Sequence, residues 1–123
     1  MKLTLDARRD VNVIRAYALD EVRIGERNVR IPCVVSGDSV ITEWDVARSS
    51  ELDANGLEPI FALHPEVVLL GTGSAQQFPS GAVRAAFAAR GIGLEVMDLG
   101  AACRTYNILV QEQRRVIALL LAS

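Results

Sequence analysis

The run from Val67 to Ser74 constrains the fold more than any other part of this sequence. Four apolar residues are followed by Gly-Thr-Gly-Ser, which is typical of a buried strand that ends in a tight loop. A strand without a polar face needs packed layers above and below it, so we expect this one in the middle of a sheet. The loop beyond the carboxyl end of such a strand is where open α/β sheets bind ligands.

The sequence after this strand predicts two helices that alternate with two further strands. Ser80 is a suitable N-cap for the first helix, and Gly91 supplies the left-handed residue that ends it. The predicted elements are helices over residues 81–90 and about 101–113, and strands over residues 94–97 and 116–121. This strand-helix-strand-helix-strand order predicts right-handed crossovers and a mostly parallel arrangement of these strands.

The residues before Val67 predict a β-rich first half. Short β-branched runs alternate with turn-forming residues, and Pro32, which has no amide donor, marks a strand edge or end. Trp44 is expected to anchor the core or the sheet edge. A short helix over residues 57–63 should end before Pro65. The predicted strands are 13–17, 21–24, one that includes Val29 and Ile31 after a turn over 25–28, 33–35 and 40–41.

These elements predict a single three-layer α/β domain of mixed α+β character. The β-rich N-terminal half and the βαβαβ C-terminal half would surround a central mixed sheet. A chain of 123 residues suits one hydrophobic core. We expect the domain to cover residues 11–123 and the polar residues 1–10 to be a flexible N-terminus.

The composition argues against several classes of function. Thirteen basic and 15 acidic residues give a net charge of −2, with no cluster of cations that would bind nucleic acid. The longest apolar run, from Val116 to Ala122, is too short to span a membrane. One histidine and two cysteines predict neither a metal centre nor a bound cofactor. The first ten residues resemble neither a secretory signal nor a transit peptide, so we expect a cytoplasmic protein.

The glycine loop is the first candidate site. Gly71 and Gly73 begin like a dinucleotide-binding fingerprint, but Gln76 occupies the position of the third glycine. The lysine of a phosphate-binding P-loop is also absent. Loop amides could still face an anion. We favour the simpler interpretation, in which the glycines only permit the turn.

The second candidate is the segment from Asp98 to Asn107, which follows the next predicted strand. Cys103 would lie in the first turn of a helix, where the helix dipole and Arg104 would favour a thiolate. A nucleophilic cysteine also needs a base, and nothing pairs the lone histidine, His64, with it. We therefore favour a buried, reduced thiol that forms no disulfide with Cys33, because the two cysteines flank different parts of the predicted fold.

The helical row that carries Asn107 is otherwise apolar, so we expect its amide to be buried and hydrogen-bonded to backbone near residues 71–74 or 98–100. Tyr106 could likewise support the structure or contact a ligand. Arg104 and Thr105 should face the other side of the helix, where Arg104 could reach an anion or cap carbonyl groups. The candidate ligand or partner site comprises Gly71, Thr72, Gly73, Ser74, Asp98, Cys103, Arg104, Thr105, Tyr106 and Asn107.

The C-terminal half resembles a known domain-of-unknown-function family. That family contains a mitochondrial respiratory complex I assembly factor and the adipogenesis-associated domain protein. The residues that carry the resemblance are Leu70-Gly71-Thr72-Gly73, Phe78-Pro79, Gly91-Ile92-Gly93, Met97-Asp98, Ala102 to Asn107 with Leu109, and Arg114-Arg115-Val116. The resemblance implies a three-layer fold around a mixed sheet and no established enzymatic activity. It also implies action through protein partners, as for the organellar members.

Two functions follow from these observations. The favoured hypothesis is a non-enzymatic assembly or interaction factor with a protein partner, related by resemblance to respiratory complexes. The alternative is a small-molecule or anion-binding protein, which could be an enzyme, that uses the loops after Gly71 and Asp98 with Arg104 as the anion contact. An exposed apolar patch would favour the first hypothesis, and a concave, polar-lined pocket between those loops would favour the second.

Overall fold

The computed structural model describes residues 11–42, 44–46 and 48–122, and within them eight strands form two sheets. The strands are β1 (Ile14–Tyr17), β2 (Glu21–Ile24), β3 (Arg27–Arg30), β4 (Cys33–Ser36), β5 (Val40–Ile41), β6 (Val67–Thr72), β7 (Gly93–Met97) and β8 (Val116–Leu121). The helices are α1 (Glu58–Phe61), α2 (Gly81–Ala89) and α3 (Leu99–Gln111), and 3₁₀ turns cover Ser49–Glu51 and Ala54–Leu57. The predicted flexibility of residues 1–10 lies outside the described residues.

The larger sheet has the strand order β5-β4-β8-β6-β7. β6 pairs in parallel with both β7 and β8, whereas β4 pairs antiparallel with β8 and β5. All six residues of β8 are buried, as are Val68 to Thr72 of β6, because strands inside a covered sheet contact side chains on both faces. The predicted mixed sheet with the Val67 strand at its interior is confirmed.

Two hydrophobic clusters cover the two faces of this sheet. Leu69 and Leu120 face α3 and the small antiparallel sheet β1-β2-β3. Leu70 and Leu119 face the opposite layer, which α1, α2 and the 3₁₀ turns form. Half-buried Trp44 packs against this second cluster, as predicted. The domain therefore has the predicted three layers, with alternate side chains of the central strands in different cores.

Several predicted boundaries shift in the structure. Ser80 caps α2 and Gly91 has φ +70°, as expected. The helix predicted over residues 57–63 is wrong in extent, because Leu57 belongs to a 3₁₀ turn and α1 ends at Phe61. The β2–β3 turn is also shorter than predicted: Gly25 has φ +59°, which allows β3 to begin at Arg27.

The start of α3 is the correction that affects the candidate site most. The sequence predicted a helix from about residue 101, but α3 begins at Leu99. The Asp98 carboxylate accepts a hydrogen bond from the Ala101 amide at 2.8 Å and so caps the helix. The helix ends at Gln111, and Gln113 has a left-handed backbone with φ +65°.

Candidate functional site

The two glycines at the end of β6 have different structural roles. A Cβ atom at Gly71 would lie 2.8 Å from Cβ of Ala102 and 3.1 Å from Cδ2 of Leu120, so only glycine lets α3 pack this closely on the sheet. Gly73 has φ +66°, and its carbonyl accepts a hydrogen bond from the Leu99 amide at 2.8 Å. The loop is therefore tied directly to the start of α3.

The Thr72 hydroxyl shapes this loop. The side chain is fully buried, donates a hydrogen bond to the Ala75 carbonyl at 2.6 Å and accepts one from the Gln77 amide at 2.9 Å. These bonds hold the chain in a compact turn after β6. Thr72 is thus a structural residue beneath the candidate site, and it does not face a ligand.

A cavity of about 350 Å³ lies between the loop after β6, the start of α3 and the β1–β2 connection. Its lining residues are Tyr17, Ala18, Leu19, Gly73, Ser74, Asp98, Leu99, Gly100 and Arg104. The structure therefore brings together four of the ten predicted site residues, namely Gly73, Ser74, Asp98 and Arg104. The cavity lies between the loops that the second hypothesis names, but polar and apolar residues line it about equally, so it meets the requirement of a polar-lined pocket only in part.

Tyr17 and Arg104 join the two walls of this cavity. Nη1 of Arg104 donates a hydrogen bond to the Tyr17 hydroxyl at 2.9 Å. Gly100 makes room for this pair, since a Cβ atom there would lie 2.7 Å from the Tyr17 hydroxyl and 3.1 Å from Nη1 of Arg104. Leu19 stands beside them, and Tyr17 and Leu19 are 46% and 60% exposed. We call Tyr17, Leu19 and Arg104 the Tyr17 surface.

Tyr17 and Leu19 were not predicted as site residues. Tyr17 is the last residue of β1, and no local signal distinguishes it from other strand residues. Leu19 does carry a signal, because it is a large apolar residue in the short β1–β2 connection, where polar turn residues are the rule. Their closeness to Arg104 could not be read from the sequence, because 87 residues separate Tyr17 from Arg104.

Cys103 does not lie in the first turn of α3, and burial outweighs the charge of Arg104, which by itself would lower the pKa of the thiol. Cys103 is the fifth residue of the helix and is buried in the core cluster that also contains Cys33. Burial raises the pKa of the Cys103 thiol to about 12, with a smaller contribution from Cys33. Burial likewise raises the pKa of Cys33 to about 12. Both thiols are free, as predicted. The expectation that Cys33 and Cys103 flank different parts of the fold is wrong, because both belong to one core cluster.

Tyr106 and Asn107 hold β1 against α3. The Asn107 side chain accepts a hydrogen bond from the Ile14 amide and donates one to the Ile14 carbonyl, both at 2.8 Å. Tyr106 is fully buried, and its hydroxyl donates to the Asn12 carbonyl at 2.8 Å. Burial, with a smaller contribution from the charge of Asp38, raises the pKa of Tyr106.

The predicted partners of Asn107 are therefore wrong. Its amide bonds to a strand backbone 93 positions earlier, and the side chain is half-buried and reaches neither the loop after β6 nor the start of α3. Half-buried Thr105 is not among the residues that line the cavity. Neighbouring residues of this motif therefore have different surroundings. Cys103, Tyr106 and Asn107 contact the core and β1, whereas Arg104 lines the cavity.

A larger cavity, of about 520 Å³, opens at the opposite end of the sheet, near the start of β8. Arg114 and Arg115 line it, but both side chains already have partners. Arg114 pairs with the Glu66 carboxylate at 3.2 Å, and Nε of Arg115 donates to the His64 carbonyl at 2.9 Å. The pKa of Glu66 is lowered, chiefly by its hydrogen bond from Arg114. None of the predicted site residues lines this cavity.

Within the part of the chain that the structure describes, no group of three or more His, Cys, Asp and Glu side chains is placed to hold a metal ion. No helix in the same residues is long and apolar enough to cross a bilayer.

Comparisons with known proteins agree with this architecture and with the resemblance seen in the sequence. Residues 14–121 match the family described as "Protein of unknown function (DUF498/DUF598)". A solved structure of a Xanthomonas campestris protein, 38% identical, superposes with a TM-score of 0.82 and covers 89% of this chain and 83% of its own.

Two of the relatives with descriptive names illustrate the range. "NADH dehydrogenase [ubiquinone] 1 alpha subcomplex assembly factor 3" of Danio rerio is 32% identical over 111 residues, which are 89% of this chain and 63% of that protein. A "13 kDa major membrane protein" of Francisella tularensis subsp. holarctica is 32% identical over 81% of this chain and 80% of its own length. This chain thus spans less than two thirds of the zebrafish assembly factor.

Proposed function

This chain belongs to the DUF498/DUF598 family of proteins of unknown function, and we propose that it is a non-enzymatic assembly or interaction factor. Its work would be to bind a protein partner through the Tyr17 surface. The name of the zebrafish relative supports a partner among the subunits of a respiratory complex. We place the protein in the cytoplasm as part of this proposal, and its two free, buried thiols support a reducing compartment.

The observation that carries the proposal is the exposure of Tyr17 and Leu19 beside Arg104. Tyrosine and arginine are enriched among the residues that dominate protein–protein binding energies. Leu19 is 60% exposed, although an aliphatic side chain of this size gains from burial. The three side chains surround a concave surface that could receive a side chain of a partner.

The chemistry of the surface also defines the contact that a partner would make. The hydrogen bond from the Arg104 guanidinium goes to a hydroxyl and not to a carboxylate, so a carboxylate of the partner could form a charge-assisted hydrogen bond with it. Tyr17 and Leu19 would pack against an apolar side chain next to that carboxylate. Asp98 is engaged as the cap of α3 and Cys103 is a buried thiol, which supports binding rather than catalysis at this place.

Affinity purification with quantitative mass spectrometry tests the proposal. The tagged protein, Leu19→Ser and Arg104→Glu would be expressed in cells of the source organism and recovered with their partners. Matched controls are Ile108→Ser, which replaces an aliphatic residue that is 59% exposed, and Arg27→Glu, which reverses an exposed charge on β3.

We expect respiratory-complex subunits among the proteins recovered with the wild type. Their recovery should fall about tenfold for each Tyr17-surface variant, because a central contact is worth more than about 1 kcal/mol. Both controls should behave as the wild type. Equal recovery with all variants would contradict the proposal.

The cavity itself supports the alternative, a small-molecule or anion-binding protein. Its volume of about 350 Å³ is in the range of sites for small ligands, and Arg104 would contact an anion. Thermal-shift screening against phosphate, nucleotides, flavins and small carboxylic acids tests this function. A ligand at 100 times its Kd should stabilise the fold by about 2.7 kcal/mol, and Arg104→Ala should remove that gain. A screen without stabilisation would eliminate the alternative.

A further inference from the structure

β7 forms one edge of the five-stranded sheet, and no strand of the described residues pairs with its outer side. The strand pairs in parallel with β6, and the Gly93 amide donates to the Glu66 carbonyl at 3.1 Å. Because backbone groups alternate in direction along a strand, Gly93, Glu95 and Met97 bond to β6. The amides and carbonyls of Leu94 and Val96 therefore point away from the sheet.

The chain already supplies a partner for one of these four outward groups. Nε2 of Gln76 donates a hydrogen bond to the Val96 carbonyl at 2.7 Å, as the amide of an added strand would. Neither backbone group of Leu94, nor the Val96 amide, has a hydrogen-bond partner among the described residues. Such groups are a template for pairing with another extended chain.

A hollow of about 340 Å³ lies beside this edge, between β7 and α2. The residues that line it include Gln76, Phe78, Arg84, Leu94 and Val96. Phe78 is 59% exposed at the hollow, and the Arg84 guanidinium lies 5.6 Å from the centre of its ring. The hollow thus combines an exposed aromatic ring with the half-buried side chains of Leu94 and Val96.

We propose that the β7 edge binds an extended segment of a partner protein as an added strand. Both outward groups of Leu94 and the Val96 amide would pair with the segment, whose own amide would replace Gln76 at the Val96 carbonyl. The apolar side chains of the segment would enter the hollow beside Phe78. This is strand addition, in which backbone hydrogen bonds supply affinity and alternate side chains supply specificity.

Glu95 determines which kind of chain can occupy this edge. Leu94 and Val96 pack with the cluster on the α2 face, so Glu95 lies on the α3 face, where it is exposed. Two copies of β7 that used both outward residues would pair antiparallel around Glu95. The two carboxylates would then be directly opposite, in a non-hydrogen-bonded pair with Cα atoms about 4.5 Å apart. Like charges opposite each other destabilise a strand pair, so the occupant is a different protein with a cation at this position.

The β7 edge and the Tyr17 surface share no residue. The hollow is lined from Gln76 and Phe78 of the loop after β6, whereas the cavity of the Tyr17 surface is lined from Gly73 and Ser74. The proposal for β7 therefore stands without the proposed function. Variants at Phe78 and Glu95 test the β7 edge, and variants at Leu19 and Arg104 test the Tyr17 surface.

A synthetic peptide, acetylated Thr-Val-Lys-Val-Lys-Val-Thr amide, is a suitable probe. When it is extended, its lysines share one face and its valines the other, so lysine can lie opposite Glu95 while valines face the hollow. In a titration followed by ¹⁵N NMR, we expect saturable shifts at Leu94, Glu95, Val96 and Phe78. The Leu94 and Val96 amides should exchange more slowly with solvent when the peptide is bound.

Two N-methylated forms of the peptide test the strand geometry. One form is methylated on the backbone nitrogens of all three valines, and the other is methylated on the backbone nitrogens of both lysines. Only alternate amides of an added strand face the sheet edge, so one form should bind and the other should not. Equal binding by both forms, or loss of binding by both, would overturn strand addition.

Three variants test the side-chain contacts. Phe78→Ser should weaken peptide binding about tenfold, whereas Ile108→Ser, at a residue that is equally exposed on α3, should leave it unchanged. Glu95→Lys should weaken binding of the lysine peptide about three- to tenfold and should favour the peptide with glutamates in place of the lysines.

The proposal would be overturned by an absence of saturable binding, by shifts centred on Tyr17, or by an unchanged peptide preference of Glu95→Lys. Sedimentation of the free protein addresses the occupant. If the free protein dimerises and Glu95→Lys changes the dissociation constant of that dimer, a second copy occupies this edge, and the proposal is contradicted.

Discussion

The two sides of α3 differ although the same short segment builds both. The side that carries Cys103, Tyr106 and Asn107 packs on the sheet and on β1, and its polar atoms bond to protein backbone. The side that carries Gly100 and Arg104 faces the cavity and meets an exposed tyrosine. A motif recognised in the sequence can therefore be mainly architectural, with one of its residues left for binding.

The largest loss of stability should come from the inner side. Tyr106→Ala would remove a fully buried ring and its hydrogen bond to the Asn12 carbonyl. We expect destabilisation of about 3–5 kcal/mol, as for other buried aromatic residues that are truncated to alanine. Urea unfolding followed by circular dichroism measures it. A loss below about 1 kcal/mol would mean that this side of α3 does not support the core.

Asn107→Ala should destabilise the fold by about 1–3 kcal/mol, because the Ile14 amide and carbonyl would lose their partners. The effect should be localised. Hydrogen exchange should accelerate in β1 and remain slow in β8, which pairs on both sides. Unchanged exchange at Ile14 would show that Asn107 does not hold β1.

The buried thiols predict how stability depends on pH. Burial raises the pKa of Cys103 from 9.0 to about 12, so the unfolded chain releases this proton at lower pH than the folded one. The contribution of the thiol is complete below pH 9 and is lost as the pH rises towards 12, on the order of 1 kcal/mol at pH 10. Alkylation of the native protein at pH 8 should be slow, and rapid labelling of Cys103 would restore the nucleophile hypothesis.

Gly100→Ala should have the smallest effect on stability and a clear effect on binding. Alanine is favoured over glycine in a helix by about 0.5–1 kcal/mol, which offsets the displacement of the exposed Tyr17 ring. The new methyl group would separate the Tyr17 hydroxyl from Arg104, so partner recovery should fall while the melting temperature changes little. Full recovery of partners would show that this pair is not part of the contact.

The elements that could be predicted from the sequence are those with local signals. The apolar runs of β6 and β8 indicated central strands, and Ser80 and Gly91 indicated the ends of α2. The predicted start of α3 is wrong because the Asp98 side chain caps the helix, a role that its residue type allows but does not require. The contacts between α3 and β1 join residues more than 85 positions apart, and no local pattern encodes them.

The difference between local signals and long-range contacts also explains which walls of the cavity could be predicted. The sequence predicted that the loops after β6 and β7 meet, and they do, because the carboxyl ends of adjacent parallel strands share one edge. The third wall, Tyr17 to Leu19, comes from the end of β1 and the β1–β2 connection. Its position depends on how Tyr106 and Asn107 dock β1 on the helix, which only the folded structure shows.

The central claim is that α3 separates structure on one side from binding on the other. A paired measurement of thermal stability and partner recovery for Arg104→Glu and Val110→Ala tests it most directly, with recovery normalised to folded protein. Val110 is buried in the same core cluster, at the opposite end of α3 from the cavity of the Tyr17 surface. We expect Arg104→Glu to keep the wild-type melting temperature and lose its partners, whereas Val110→Ala should melt earlier and keep them. Loss of partners by Val110→Ala with normal recovery by Arg104→Glu would contradict the central claim.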